Sequence, residues 1–298
     1  MIAVLRLPLV LLFAALLSAC AASTTSAGND PISSDPVSID PENPPAFHEL
    51  TIPSNGARLT GFMLSANGAG PHPTAILLHG YPGNEKNLDL AQSLRRAGFN
   101  VLFFHYRGAW GSTGSYKLSY LSEDVAAVLT FLKGQGHTMR VDTTRLSVVG
   151  HSMGGFAALR AGSREAGLDC VVGLAAANLG AYADLSGSDA KDFSRYTDGL
   201  FMLQNFDGQK ALREIRANAE RFDVRYYGPG LSGKSVLLVA GANDTVITPD
   251  IHQGMVDAFL ETPGIALTAE TLPGDHAFSS SRIQLQRTVI NWMNKNCR

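Results

Sequence analysis

The chain has no excess of charge of either sign. Its 298 residues include 24 Lys and Arg against 26 Asp and Glu, so the formal net charge is −2. A protein that binds nucleic acid through its phosphates needs a basic surface, and this balance argues against such a partner. The eight histidines are scattered without the spacing of metal ligands, so we expect no metal site and no cofactor.

Cysteine is scarce, with three residues in the whole chain. Cys20 lies near the N-terminus, Cys170 lies in an apolar run, and Cys297 lies in the C-terminal tail. Two interpretations of the last pair stay open. They form a disulfide in an oxidising envelope, or they are two buried free thiols, because the sequence does not place them together in space.

The N-terminal segment has the features of a targeting signal. Arg6 is followed by a continuous apolar run over residues 9–17, which is too short to span a bilayer as a permanent helix. We therefore predict a signal peptide over residues 1–19. The run ends in Leu17-Ser18-Ala19-Cys20, which resembles the lipobox of bacterial lipoproteins.

That resemblance implies that Cys20 carries a lipid and becomes the first residue of the mature chain. A plain secretory signal is the alternative. Ala21 follows Cys20 at a position where aspartate would suggest inner-membrane retention. We therefore expect a lipid-anchored protein of the bacterial cell envelope, at the outer membrane and facing the periplasm.

No Lys or Arg occurs between Arg6 and Arg58, and five prolines fall within residues 31–45. A segment rich in Ser, Thr, Ala and Pro buries too little apolar surface to offset its ordering entropy. The sequence therefore predicts a flexible lipidated tether over residues 20–46. The rest, residues 47–298, is long enough for a single domain with a large core.

The domain shows alternating strand and helix patterns. A hairpin is predicted over residues 47–64, with its turn at Ser54-Asn55-Gly56. Short apolar runs predict strands at 74–78, 101–104, 146–149, 171–175, 235–240 and 265–272. Helical periodicity is found near 87–97, 117–133, 153–165, 249–261 and 281–295. This alternation predicts an α/β fold, with a mainly parallel central sheet and helices on both faces.

One stretch interrupts the alternation. Residues 178–232 separate two successive strands by more than a crossover helix needs. A long crossover helix with loops is one interpretation, and a small helical cap over a substrate site is the one we favour. The side chains expected to reach a pocket from this cap are Tyr196, Phe201, Met202 or Phe206.

The most informative motif is Gly150-His151-Ser152-Met153-Gly154-Gly155, which stands between a predicted strand and a predicted helix. A nucleophile elbow needs this context, because its serine sits on a strained turn between small residues. The motif alone is weak, since an ordinary glycine-rich turn looks the same. Whether the motif marks a catalytic nucleophile depends on whether the chain also supplies a base, an acid and oxyanion donors.

Those partners occur at the expected strand ends. Asp244 follows the strand at 235–240, where a carboxylate can hold an imidazole through its Nδ1–H. His276 follows the last strand and can exchange a proton with Ser152. Asp275 is a poorer acid, because neighbouring side chains diverge.

The oxyanion donors are expected from two backbone amides, those of Tyr81 and Met153. Tyr81 belongs to a glycine-containing turn at the end of the first core strand, and Met153 begins the helix after Ser152. His79, in the same turn, is expected to organise the loop rather than to react.

With these residues in the order Ser152, Asp244, His276, residues 47–298 resemble an α/β-hydrolase of the dienelactone-hydrolase and prolyl-oligopeptidase-like group. Tyr106-Arg107-Gly108 and Trp110-Gly111-Ser112 add to the resemblance, with Arg107 and Trp110 expected to fix loops. His105 departs from it, since an aspartate often precedes Tyr-Arg-Gly. The resemblance implies the α/β-hydrolase fold and a serine hydrolase that cleaves a carboxylic ester, or a related acyl bond, of a small acyl substrate through an acyl-enzyme.

Two alternatives stay open at this point. One is a peptidase or amidase of the prolyl-oligopeptidase-like type, and the other is a non-catalytic envelope lipoprotein that binds a ligand on a hydrolase scaffold. The sequence does not identify the acyl group or the oligomeric state.

Overall fold

The computed structural model describes residues 30–297, which contain one eight-stranded sheet. The strands are β1 (Ala46–Ser54), β2 (Ala57–Ser65), β3 (His72–Leu78), β4 (Asn100–Phe104), β5 (Val141–His151), β6 (Leu168–Leu174), β7 (Ser235–Gly241) and β8 (Ala266–Leu272). Their spatial order is β1-β2-β4-β3-β5-β6-β7-β8. β2 pairs antiparallel with β1 and β4, and all later neighbours pair in parallel. The predicted α/β fold with a mainly parallel sheet is confirmed.

In chain order, the helices of the described residues lie between these strands, except for the last, which follows β8. They are α1 (Leu88–Arg96), α2 (Leu121–Gln135), α3 (Met153–Gly162), α4 (Gly187–Asp198), α5 (Gly208–Ala217), α6 (Gly228–Leu231), α7 (Pro249–Leu260) and α8 (Arg282–Asn296). Short 3-10 turns occur at Leu118–Tyr120, Gly136–Met139, Leu179–Asp184, Glu220–Phe222 and Val224–Tyr227. Each helix predicted from periodicity between strands is present, with ends shifted by a few residues.

The strands are apolar on both faces because helices cover both faces of the sheet. In β3, Ile76 and Leu78 belong to the core cluster under α2 and α3, whereas Ala75 and Leu77 belong to the cluster under α1 and α8. This alternation follows from the period of two in an extended chain. A parallel sheet packed in this way places the carboxyl ends of β3, β5, β7 and β8 at one edge.

The chain between β6 and β7 forms α4, α5, α6 and three of the 3-10 turns. In this segment Leu212, Ile215, Ala219 and Phe222 recur at helical spacing, but residues 212–222 do not form one helix. α5 stops at Ala217, and a 3-10 turn at Glu220–Phe222 then brings Phe222 into the core. Leu212, Ile215 and Phe222 are nevertheless all buried, and Ile215 and Phe222 belong to the same core cluster.

The predicted flexible tether over residues 20–46 is wrong for its described part, because residues 30–45 lie against the domain. Composition predicted freedom, but arginines and an asparagine of the domain bind this segment's carboxylates, amides and carbonyl oxygens. The contacts join Asp30 to Arg287 at 2.8 Å, Pro31 O to Arg96 Nε at 2.5 Å, and Asp40 N to Asn67 Oδ1 at 2.9 Å.

The signal peptide at 1–19, Cys20 and the first part of the tether lie outside the described residues, so their lipidation and location stay predictions. Among residues 30–297, no helix combines the length and the apolar character that crossing a bilayer requires.

The cysteine pair is settled in favour of the disulfide. Cys170 in β6 is bonded to Cys297, which directly follows α8, and their Cα atoms are 5.8 Å apart. The bond joins the C-terminal helix to the centre of the sheet, although 127 positions separate the two residues in the sequence.

A buried ion pair holds the loop after β4. The Asp124 carboxylate is fully buried and accepts hydrogen bonds from the Arg107 backbone amide at 2.8 Å, from Arg107 Nε at 2.9 Å and from Ser54 Oγ at 2.7 Å. The Arg107 guanidinium also lies 4.0 Å from the Tyr120 ring. Arg107 therefore fixes a loop, as the sequence predicted.

The Asp124→Ala variant is expected to lose about 3–5 kcal/mol of unfolding free energy. Arg107 would keep only the half-exposed Glu123 as a partner, and the buried Arg107 amide and Ser54 hydroxyl would lose their acceptor. The matched control is Asp192→Ala, which breaks the exposed pair with Arg195 and should cost about 1 kcal/mol or less. Urea denaturation measures both values. Equal losses in the two variants would refute a structural role for the buried pair.

Candidate active site

The turn after β5 carries Ser152 in a conformation that L-residues rarely adopt. Its φ is 57° and its ψ is −122°. The turn is crowded, because a Cβ on Gly150 would lie 1.9 Å from Gly154 O, and a Cβ on Gly154 would lie 2.0 Å from Leu78 O. Only glycine fits at these two positions, so the strained serine is held between β5 and α3 in the way a nucleophile elbow requires.

Asp244 and His276, which the sequence predicted as acid and base, are in direct contact. His276 Nδ1 lies 2.8 Å from Asp244 Oδ2, and the Asp244 side chain is fully buried. The other carboxylate oxygen, Asp244 Oδ1, accepts the backbone amides of Val246 at 2.8 Å and Ile247 at 2.9 Å. The carboxylate is thus fixed at both oxygens and accepts a hydrogen bond from Nδ1–H, which leaves His276 Nε2 as the free nitrogen.

Asp275 has a different role from Asp244, as the sequence predicted. Its carboxylate accepts the backbone amides of Ala277 at 3.2 Å and Ser279 at 2.8 Å. It therefore shapes the loop that carries His276 without touching the imidazole.

Ser152 and His276 both line one cavity of about 410 Å³. Within residues 30–297, no hydrogen bond joins the Ser152 hydroxyl to the His276 ring. Catalytic hydrogen bonds are often long in unliganded enzymes and shorten when substrate binds, so a shared cavity wall is the relevant observation.

The two predicted oxyanion donors lie beside Ser152. The loop after β3 passes so close that a Cβ on Gly80 would be 3.1 Å from the Ser152 Cβ. Among the described residues, neither the Tyr81 nor the Met153 amide donates to a backbone or side-chain acceptor. Met153 also begins α3, where the helix dipole favours negative charge.

The Tyr81 loop is anchored from two sides. The Tyr81 hydroxyl donates to Thr197 Oγ1 in α4 at 3.0 Å, and Trp110 Nε1 donates to Pro82 O at 2.7 Å. Trp110 therefore fixes a loop, as the sequence predicted. These bonds hold the Tyr81 backbone in place before any substrate arrives.

The segment between β6 and β7 supplies much of the cavity wall. Tyr196, one of four side chains proposed from the sequence, lines it, but the other three do not. Phe201 is 85% exposed, Met202 lies outside the cavity, and Phe206 packs on the Tyr116 ring. The wall side chains that the sequence did not single out are Leu118, Ala177, Leu179, Tyr182, Phe193, Ile215 and Val246.

The spacing of Phe193 and Tyr196 was the available signal for this wall. Residues three apart share a helix face, and both belong to α4. The cavity wall contains no Asp, Glu, Lys or Arg among the residues that the structure describes. Apart from Ser152 and His276, its polar side chains among the described residues are tyrosines.

Three further histidines lie around this edge of the sheet. His79 and His151 are buried, and His105 is half-buried. Burial lowers the pKa of His79 to about 4, and its Nδ1 donates to Gly80 O at 2.8 Å. Burial, and then the neighbouring His79, lower the pKa of His105 to about 3. Burial, and then His276, lower the pKa of His151 to about 4. None of the three lines the cavity. The bond to Gly80 O lies within the loop after β3, so His79 organises its loop as expected.

These neutral histidines make the fold sensitive to acid. Between about pH 6.5 and pH 4 the unfolded chain binds protons that the folded chain does not, so unfolding becomes easier as the pH falls through this window. Each fully buried histidine should contribute on the order of 1–2 kcal/mol between pH 7 and pH 5.

Thermal or urea unfolding at the two pH values checks this expectation in the wild type and in His79→Asn, which keeps a donor for Gly80 O but does not titrate. The variant should lose less stability on acidification than the wild type. Exposed His137→Asn is the control. A pH dependence unchanged in His79→Asn would show that this histidine is not buried in its neutral form.

Solved structures of similar fold include hydrolases. Est1E from Butyrivibrio proteoclasticus with ferulic acid bound is 18% identical, with a TM-score of 0.67 over 83% of this chain and 98% of that one. The Pyrococcus furiosus esterase Pf2001 is 20% identical, with a TM-score of 0.60 over 85% and 92%. The 2,6-dihydroxy-pseudo-oxynicotine hydrolase is 20% identical, with a TM-score of 0.65 over 86% and 69%. At these identities the likeness concerns the fold.

A model of the alpha/beta hydrolase family matches residues 75–281. The match covers more than half of the chain. It runs from β3 through the turn at Ser152 and the insertion to the loop that carries His276. The sheet topology and the strained turn at Ser152 agree with the family match. The chain belongs to the alpha/beta hydrolase family.

Proposed function

We propose that this protein is a serine hydrolase that cleaves carboxylic esters, with Ser152 as nucleophile, His276 as base and Asp244 as the acid that holds the base. One observation carries the proposal. The strained Ser152 and His276 line one apolar cavity, and His276 Nδ1 lies 2.8 Å from Asp244 Oδ2, although the three residues come from three separate loops. The finer resemblance to the dienelactone-hydrolase and prolyl-oligopeptidase-like group is part of the same proposal.

The chemistry follows from these positions. Ser152 Oγ attacks the ester carbonyl while His276 Nε2 takes the hydroxyl proton, and the carbonyl π electrons move to oxygen. The amides of Tyr81 and Met153 stabilise that oxyanion, an effect of roughly 3–4 kcal/mol for each donor. The tetrahedral adduct collapses, the C–O bond to the alcohol breaks, and His276 returns the proton to the alcohol.

The second half-reaction repeats these steps with water. His276 takes a proton from water as the water oxygen attacks the acyl-enzyme carbonyl. The bond to Ser152 Oγ then breaks, and the serine regains its proton from His276. Asp244 stabilises the imidazolium in both halves without taking the proton itself.

The cavity indicates which esters fit. Its wall combines aliphatic side chains with the rings of Tyr81, Tyr182, Phe193 and Tyr196. Among residues 30–297, no Asp, Glu, Lys or Arg lines it to pair with a substrate carboxylate or ammonium. Burying an unpaired charge there is costly, whereas burying an apolar group is favourable. The proposed substrates therefore carry an uncharged, apolar acyl group.

Hydrolysis of matched p-nitrophenyl substrates tests the proposal. The butyrate ester should be cleaved. The succinate monoester of similar acyl length should show a kcat/KM at least about tenfold lower, because its carboxylate enters the apolar cavity. Ser152→Ala should lower kcat by about 10³-fold or more. Exposed Ser188→Ala is the control and should match the wild type.

Other outcomes separate the alternatives. Faster cleavage of the butyryl anilide than of the ester would favour an amidase or peptidase. Binding of the ester without turnover would favour a non-catalytic binding protein. Full activity in Ser152→Ala would overturn the proposed nucleophile.

A further inference from the structure

His151, the residue before Ser152, contacts the loop that carries the proposed base. It is the last residue of β5 and is 4% exposed. Its Nε2 lies 2.7 Å from the backbone carbonyl oxygen of His276, and the two imidazole rings are 4.8 Å apart between centroids. The contact therefore links the strand end that carries the nucleophile to the peptide unit that carries the base.

The direction of this hydrogen bond fixes the tautomer of His151. A carbonyl oxygen accepts only, so Nε2 carries the proton and donates it. His151 Nδ1 is buried and has no hydrogen-bond partner among the described residues, which suits an unprotonated ring nitrogen better than an N–H.

The charge state of His151 agrees with this geometry. Burial, and then the neighbouring His276, lower the pKa of His151 to about 4, while Arg282 also disfavours its protonation and Asp244 favours it. At neutral pH His151 is therefore uncharged, and it adds no like charge beside the imidazolium that His276 becomes during turnover. A cation at position 151 would oppose that step.

We propose that His151 is a positioning residue, which fixes the peptide carbonyl of His276 to the strand end that carries Ser152 so that nucleophile and base keep their relative position. The inference rests on the proposed function of Ser152 and His276. It assigns the second residue of the Gly-His-Ser motif a task beyond filling the turn.

Among the described residues, the other contacts of the loop hold the His276 ring or neighbouring residues, and do not fix the His276 carbonyl. Asp244 holds the His276 ring at Nδ1 but does not touch its backbone. Asp275 and Arg282 bind the backbone at Ala277 and Ser279, beyond His276. A ring held at one point rotates when its backbone shifts, and a misplacement of about 1 Å can lower a rate by about 10²-fold.

Two variants of His151 separate positioning from packing. His151→Leu keeps an apolar side chain of similar size but removes the donor, and His151→Gln provides an amide donor with similar reach. We expect His151→Leu to lower kcat by about 10- to 100-fold with KM changed by less than about threefold. His151→Gln should recover most of the lost kcat, with the esters cleaved by the wild type as substrates.

Hydrogen exchange of the backbone amides over residues 274–281 gives a second readout that does not need activity. Exchange there should be about fivefold faster or more in His151→Leu than in the wild type, and near wild type in His151→Gln. An inactive wild type with this exchange pattern would overturn the proposed function and leave the anchor intact. An active wild type with unchanged kcat and exchange in His151→Leu, or equal losses in both variants, would overturn the inference.

Discussion

The close approach of backbone at the turn after β5 is the constraint on which the site depends. A Cβ at Gly150 or Gly154 would lie about 2 Å from a backbone carbonyl oxygen. The end of β5 and the start of α3 are therefore in direct backbone contact. Ser152 is forced to a φ of 57°, and α3 starts directly behind it. Strain at one residue, which costs on the order of 1–3 kcal/mol, places a hydroxyl and a helix N-terminus at the same point.

The remaining groups reach that point from separate loops, and each loop is tied back to a rigid element. Asp244 holds the His276 ring, His151 at the end of β5 holds the His276 backbone, and Thr197 holds the Tyr81 side chain. Such ties reduce the reorganisation that a reaction would otherwise require. In the proposed mechanism, the apolar cavity strengthens the electrostatic stabilisation of the oxyanion, because few polar side chains line it.

Much of this could be predicted from the sequence, since short apolar runs locate the strands, and parallel strands place Ser152, Asp244 and His276 at one edge. The features that could not be predicted depend on contacts between segments that are distant in the sequence. Residues 30–45 look free by composition but are bound by arginines of α1 and α8. Phe201 looks like a pocket residue but faces solvent, whereas Tyr182 and Phe193 line the wall because of how a 3-10 turn and α4 are rotated. His151 stands in the motif, yet only the fold reveals its partner.

Covalent labelling by a fluorophosphonate tests the central claim most directly, since the reagent phosphonylates a serine only where a base and oxyanion donors activate it. Mass spectrometry of the labelled chain should find one equivalent of adduct on the peptide that contains Ser152. Ser188→Ala should label like the wild type, and Ser152→Ala should not label. An unlabelled wild type, or equal labelling of Ser152→Ala, would contradict the assignment of Ser152 as an activated nucleophile.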